Sequence, residues 1–210
     1  AFKVIPGDVK ASVTTNKMLM LLPEEPMQPR LADPRLGVSF MKVSQVESDR
    51  KGLDHTFYTK RWRVEPADEA AYRRGETVEV KKPIVFYMDT LMPKAWQPYI
   101  KEGIKAWNEA FEKIGFKNVM QVRDFPKDDP SFDPDNLKYS CIRYIPAGVE
   151  NAMGPSWTDP ITGEILNATV LIWHDIIRLV NEWRFVQTAQ VDERVRTEKL
   201  PADVLHEALV

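Results

Sequence analysis

The residues that come nearest to a catalytic pattern are in LPADVLHEALV, Leu200 to Val210. His206-Glu207 opens HExxH, a helical motif in which two His one turn apart bind zinc and the Glu beside the first serves as base toward zinc-bound water. The second His would stand at position 210, where the chain has Val. A single His makes no chelate, and His55 and His174 are isolated in sequence. Taken alone, the pair reads as polar residues on an amphipathic helix with Val204, Leu205, Ala208 and Leu209 inward. His174-Asp175 falls where an apolar run gives way to a helical pattern. A His there could be a ligand, but Asp175 is better explained as the acid of a helix's first turn. Cys141 lies in an alternating strand with no His or Asn near it in sequence, which describes a small buried hydrophobe rather than a nucleophile. The stretch DFPKDDPSFDPD (124–135) offers hard oxygen ligands for calcium but lacks the Gly and terminal Glu of an EF-hand loop, so it reads as a solvated loop. There is no glycine-rich phosphate loop and no nucleophile elbow. The residues themselves therefore assign no catalytic group and no metal ligand.

Composition narrows the rest. The 210 residues are 43% hydrophobic and 29% charged, ordinary for a globular chain. A net charge of −2 argues against a nucleic-acid or anionic-membrane partner. One cysteine excludes an intrachain disulfide. No apolar run approaches the ~20 residues that span a bilayer. The chain opens on Ala1-Phe2-Lys3, without a signal peptide, and both ends look cut. Sixteen Pro against nine Gly predict many rigid, extended connections.

The elements that would position a site are clearest after Pro83. The apolar run IVFYM predicts a central strand at Ile84–Met88. Ile100, Ile104, Trp107, Phe111 and Ile114 step by four and three, one face of a helix that starts around 94–97 and stops at Gly115. Each of those inward residues should give roughly 1.5–3 kcal/mol on burial. NVMQVRD and YSCIRYIPA read as strands. NAMGPSWTDPITGEILNATVLIW reads as strand, turn, strand, with the turn at 159–163 and the more apolar arm at Ile165–Trp173. A helix follows, with Ile176, Val180 and Trp183 on one stripe, and another begins at Pro201. One helix between the first two strands implies a parallel crossover; the tight turn implies a local antiparallel pair. Before residue 83 the pattern is β-rich: short strands at Met18–Leu22, near Gly37–Val43 and at Thr56–Val64, and a helical turn ended by Gly75. The expected fold is α+β, a mixed, partly parallel twisted sheet with a backing helix. Residues 1–82 form an accessory segment packed on the half formed by 83–210.

Several stretches carry a family likeness: RLADPRLG (30–37), KRWRVEP (60–66), KPIVFYMD (82–89), YIKEGIKAWNEAFEKIGFKN (99–118) and GPSWTDPITGEILNATVLIW (154–173). The chain resembles the N-terminal part of bacterial zinc-dependent metalloproteases of metzincin type, a family of large secreted or envelope-associated enzymes. The resemblance implies a zincin-like upper subdomain and a secreted, periplasmic or envelope location. It also implies zinc in the full-length parent, bound by HExxHxxGxxH just beyond a segment like LPADVLHEALV. On this reading the chain ends before its zinc helix, carries no zinc itself and is inactive alone. The short C-terminal helix would then fray, or a dimer would form with Leu205 and Leu209 covered by a second copy.

What the resemblance carries over is substrate geometry. An edge strand in that family runs antiparallel to a bound polypeptide and pairs with it by backbone hydrogen bonds. The matching positions are Ala152, Met153, Gly154, Pro155, Ser156 and Trp157. Gly154 would let the substrate backbone approach closely. Pro155 has no N–H, so one ladder bond must be missing. The same residues also suit an ordinary edge strand protected from aggregation by its proline. Two functions stay open: the scaffold and substrate edge of a zinc endopeptidase, or a non-enzymatic module that binds polypeptide or holds neighbouring domains together.

Overall fold

The computed structural model describes residue 15 and residues 17–46, 52–197 and 201–203. In chain order the strands and helices are β1 (Phe40–Val46), β2 (Leu53–Thr59), α1 (Glu69–Arg73), β3 (Val78–Glu79), β4 (Ile84–Met88), α2 (Gln97–Glu112), β5 (Phe116–Lys117), β6 (Met120–Asp124), β7 (Ser140–Ile145), β8 (Ala152–Met153), β9 (Ser156–Thr158), β10 (Ile165–Trp173) and α3 (Ile176–Thr188). Short 3₁₀ turns precede β1 and follow α3. The His206-Glu207 pair and the rest of 204–210 lie outside the described residues, as does the expected cover over Leu205 and Leu209.

The fold is α+β, built on a mixed sheet ordered β6-β4-β7-β10-β8, with β9 pairing farther along β10. β4 is flanked by β6 and β7 and is parallel to both, and β10 is parallel to β7. β8 and β9 run antiparallel to β10. A strand inside such a sheet is covered on both faces and needs apolar residues at every position. β4 fits: Ile84, Phe86 and Met88 are buried toward the core, and Val85 and Tyr87 are half-buried on the other face. The core gathers these three with Val119 and Ile142, and Ile100, Ile104 and Phe111 of α2 pack against it.

α2 corrects the predicted stripe. Trp107 is 64% exposed and Ile114 is also exposed. The inward position falls to Asn108 instead. Its Nδ2 donates to the Met120 carbonyl at 3.0 Å, and its Oδ1 accepts the Met120 N–H at 2.8 Å. Met120 opens the outermost strand, β6, where backbone groups have no strand beyond them, so an amide satisfies them better than an indole. Asn108→Leu should lose about 1–3 kcal/mol, because it leaves both backbone groups of a half-buried strand end unpaired. Trp107→Ser should stay within about 0.5 kcal/mol. Urea unfolding midpoints of the two variants check the contrast. Gly115 does end the helix, at φ 84, with the Tyr72 ring only 2.9 Å from where a Cβ would stand.

Four further expectations shift. Met18–Leu22 forms no strand: Leu19 and Leu21 are fully exposed, and the segment pairs with no strand among the described residues, despite its apolar run. The strand expected near Gly37–Val43 begins at Phe40, because Gly37 at φ 65 closes a 3₁₀ turn. The strand expected at Thr56–Val64 is β2, which lies earlier and pairs antiparallel with β1. In α3, Ile176 and Val180 are half-buried but Trp183 is exposed. No helix among the described residues is long and apolar enough to cross a membrane.

Candidate functional site

The six predicted edge residues come together along one flank of β10. Met153 stands opposite Leu171 and Ala152 opposite Ile172. Ser156 and Trp157 stand opposite Ala168 and Asn167. Between them, Gly154-Pro155 breaks the strand assignment without breaking register, since the Thr169 N–H donates to the Pro155 carbonyl at 2.9 Å. At the other end the Trp173 N–H donates to the Asn151 carbonyl at 3.3 Å.

Those two bonds fix the alternation. Residues 151, 153 and 155 turn their backbone groups inward to β10, so Ala152, Gly154 and Ser156 turn theirs outward. Pro155 therefore withholds its missing donor from β10, not from the free side. One outward donor is already engaged: the Ala152 N–H is held at 2.8 Å by Oδ1 of Asn151, a residue that sequence reasoning did not single out. Side chains alternate too. Met153, Pro155 and Trp157 share one face, and Ala152, Gly154 and Ser156 share the other. Met153 is 51% exposed and Trp157 42%.

Beside Trp157 a groove of about 660 Å³ opens over β7 and β10, lined by Arg143, Ile145, Thr169 and Leu171 among others. Asn167 lies in its lining. Its Nδ2 donates to the carbonyls of Leu137 and Tyr139, at 2.9 and 2.8 Å, which fixes which way the amide points. Its Oδ1 is buried without a hydrogen-bond partner among the described residues. Arg143 is bound to Asp135 at 2.6 Å and lies 3.5 Å from Asp89. Burial opposes its charge, but these two carboxylates outweigh burial and raise its pKa.

The turn joining β9 to β10 is a closed polar unit. Asp159, almost fully buried, accepts the Ile161 N–H at 2.8 Å and the Thr162 hydroxyl at 2.7 Å. An Asp anchoring the amide two residues on is the reason Asp-Pro-x-Thr-Gly folds as a turn. The turn docks on the N-terminal segment: the Arg61 N–H donates to the Gly163 carbonyl at 3.1 Å, and the Ile165 N–H to the Arg61 carbonyl at 2.8 Å. Arg63 grips Glu164 with Nε at 3.0 Å and Nη2 at 2.6 Å. That hydrogen bond and charge hold the Arg63 pKa above its ordinary value.

His174 and Cys141 make structural contacts. His174 Nδ1 shares a 2.7 Å hydrogen bond with the Tyr144 hydroxyl, its ring stacks on Trp96, and its backbone N–H donates to the Ile145 carbonyl at 3.1 Å. It thereby pins the junction between β10 and α3, and Asp175 is the N-cap residue of α3 without a side-chain cap bond. Cys141 is fully buried, and burial pushes its thiol up from 9.0 to about 11. Because the folded pKa exceeds the unfolded one, the unfolded chain releases this proton first. Its contribution to stability is whole below about pH 9 and declines as pH rises through about 11. Disulfide-exchange reagents should label Cys141 at the unfolding rate rather than at the rate of a free thiol. Labelling kinetics with and without urea check this.

Among the described residues, no group of three His, Cys, Asp or Glu could hold a metal ion. In comparisons with known proteins, no curated protein and no solved structure matches the chain. Residues 3–67, which include β1, β2 and both arginines of the docking segment, are similar to a family described as Domain of unknown function (DUF5117).

Proposed function

We propose that this chain holds an extended polypeptide against the 152–157 edge and that it is the scaffold part of a zinc-dependent endopeptidase acting outside the cytoplasm. One observation carries the binding half: among the described residues no strand pairs with the outward side of Gly154 and Ser156, which leaves an edge, antiparallel to β10, at which another strand can add. The apolar face of Met153, Pro155 and Trp157 beside it gives an added strand something to bury its own side chains against. The peptidase half leans on the resemblance of residues 30–37, 60–66, 82–89, 99–118 and 154–173, and on the α+β sheet with a helix backing one face.

Two measurements test it. Binding of fluorescein-labelled β-casein, an unfolded polypeptide, by the 210-residue chain should be saturable and should block amide exchange at 154 and 156. A chain extended C-terminally along its own gene should cleave casein, and a zinc chelator should stop it. No casein binding would end the edge reading. Casein binding with no zinc-dependent cleavage by the extended chain would leave a non-enzymatic binding module.

A further inference from the structure

We propose that Arg63 is a positioning residue for the peptide-binding edge, acting through Glu164; this rests on the edge reading above. β9 is a strand of three residues, paired among the described residues with β10 alone, and its register slips between Ile165 and Asn167. So short a pairing does not fix its own place. Its turn does, and what fixes the turn lies about a hundred residues earlier in sequence, as the 101-residue separation of Arg63 and Glu164 shows. Arg63 meets both carboxylate oxygens of Glu164 in a fork that a lysine cannot copy. Both side chains are largely withdrawn from water, at 25% and 10% exposure, so the contact is not a loose surface pair. The same guanidinium donates to the Glu25 carbonyl at 2.8 Å, and Arg61 donates to the Gln28 carbonyl at 2.6 Å. The two arginines thus gather three separate stretches, 25–28, 61–63 and 163–165, at the root of the edge. The position of Ser156–Thr158, and with it the outward donor and acceptor of Ser156, follows the N-terminal segment.

Amide exchange in Arg63→Lys and in the milder Glu164→Gln tests this in the full chain. The expected result is that the Trp157 amide, which faces β10, exchanges about tenfold faster relative to the amides of β7, a strand inside the sheet. β-Casein affinity should fall in parallel. If Trp157 and β7 shift together, or neither shifts, Arg63 is merely structural and the proposal is overturned. It is overturned equally if Trp157 loosens while casein affinity holds. If the unsubstituted chain binds no casein, the edge reading fails by itself, and the exchange ratio still decides whether Arg63 positions β9.

Discussion

Gly163→Ala should destabilise the chain by about 2–4 kcal/mol, more than any other single-methyl change at the turn, because two costs add there. Gly163 sits at φ 77, where an alanine is strained. A Cβ would also stand 2.6 Å from the carbonyl oxygen of Thr59, inside any tolerable contact. Thr59 ends β2 and runs directly into the Arg61 pairing, so the backbone cannot yield without breaking the bonds of Arg61 to Gly163 and Ile165. Gly75→Ala separates the two costs. Gly75 has φ 86 but nothing within 4 Å of a Cβ, so its loss should be near 1 kcal/mol, the strain alone. Urea unfolding followed by far-UV circular dichroism measures both. Equal losses at the two sites would mean that the N-terminal segment does not press on the turn.

Gly154→Pro should weaken β-casein binding about tenfold, close to the worth of one backbone hydrogen bond together with the ring set in the path of the added strand. Pro155→Ala should weaken binding far less than Gly154→Pro, losing only part of the apolar contact of its ring and no outward hydrogen bond, although it returns a missing N–H to the same segment. The contrast follows from register alone: position 154 faces outward, while position 155 faces β10 through its bond with Thr169. Unfolding midpoints must accompany both, so that affinity is compared between folded chains. Tighter casein binding by Pro155→Ala would show that the alternation is inverted and that 153 and 155, not 154 and 156, meet the ligand.

The register dependence of these two experiments marks where sequence reasoning stopped. The segment 152–157 was singled out by the family resemblance, and its proline suited an edge strand of any kind. Which of its backbone groups face out depends on how β10 pairs with it, and no local property of either strand fixes that. Pro155 is the plain case: its lack of an N–H is a fact of sequence, yet the neighbour deprived of that donor is named only by the fold. Asn151 and Asn108 were missed for a related reason. Each is a polar residue whose use is to satisfy a backbone group exposed by an edge, and edges exist only once strands have been ordered.

By itself the sequence determined the elements whose signals are local. IVFYM and ILNATVLIW are strands with the predicted bounds, because a run that is apolar on both faces has few other ways to leave water. Gly75 and Gly115 close their helices because the positive φ needed there strains other residues. Asp159 to Gly163 folds as a turn on its own hydrogen bonds. Tertiary structure alone decided what depends on distant neighbours. Trp107 was turned out and Asn108 in by the unpaired backbone of β6, the apolar run at Met18–Leu22 was left without a strand to pair with, and Arg63 was brought to Glu164. Hydrophobic periodicity reports which residues favour burial, but the choice among them is made by the polar groups that burial would otherwise leave without partners.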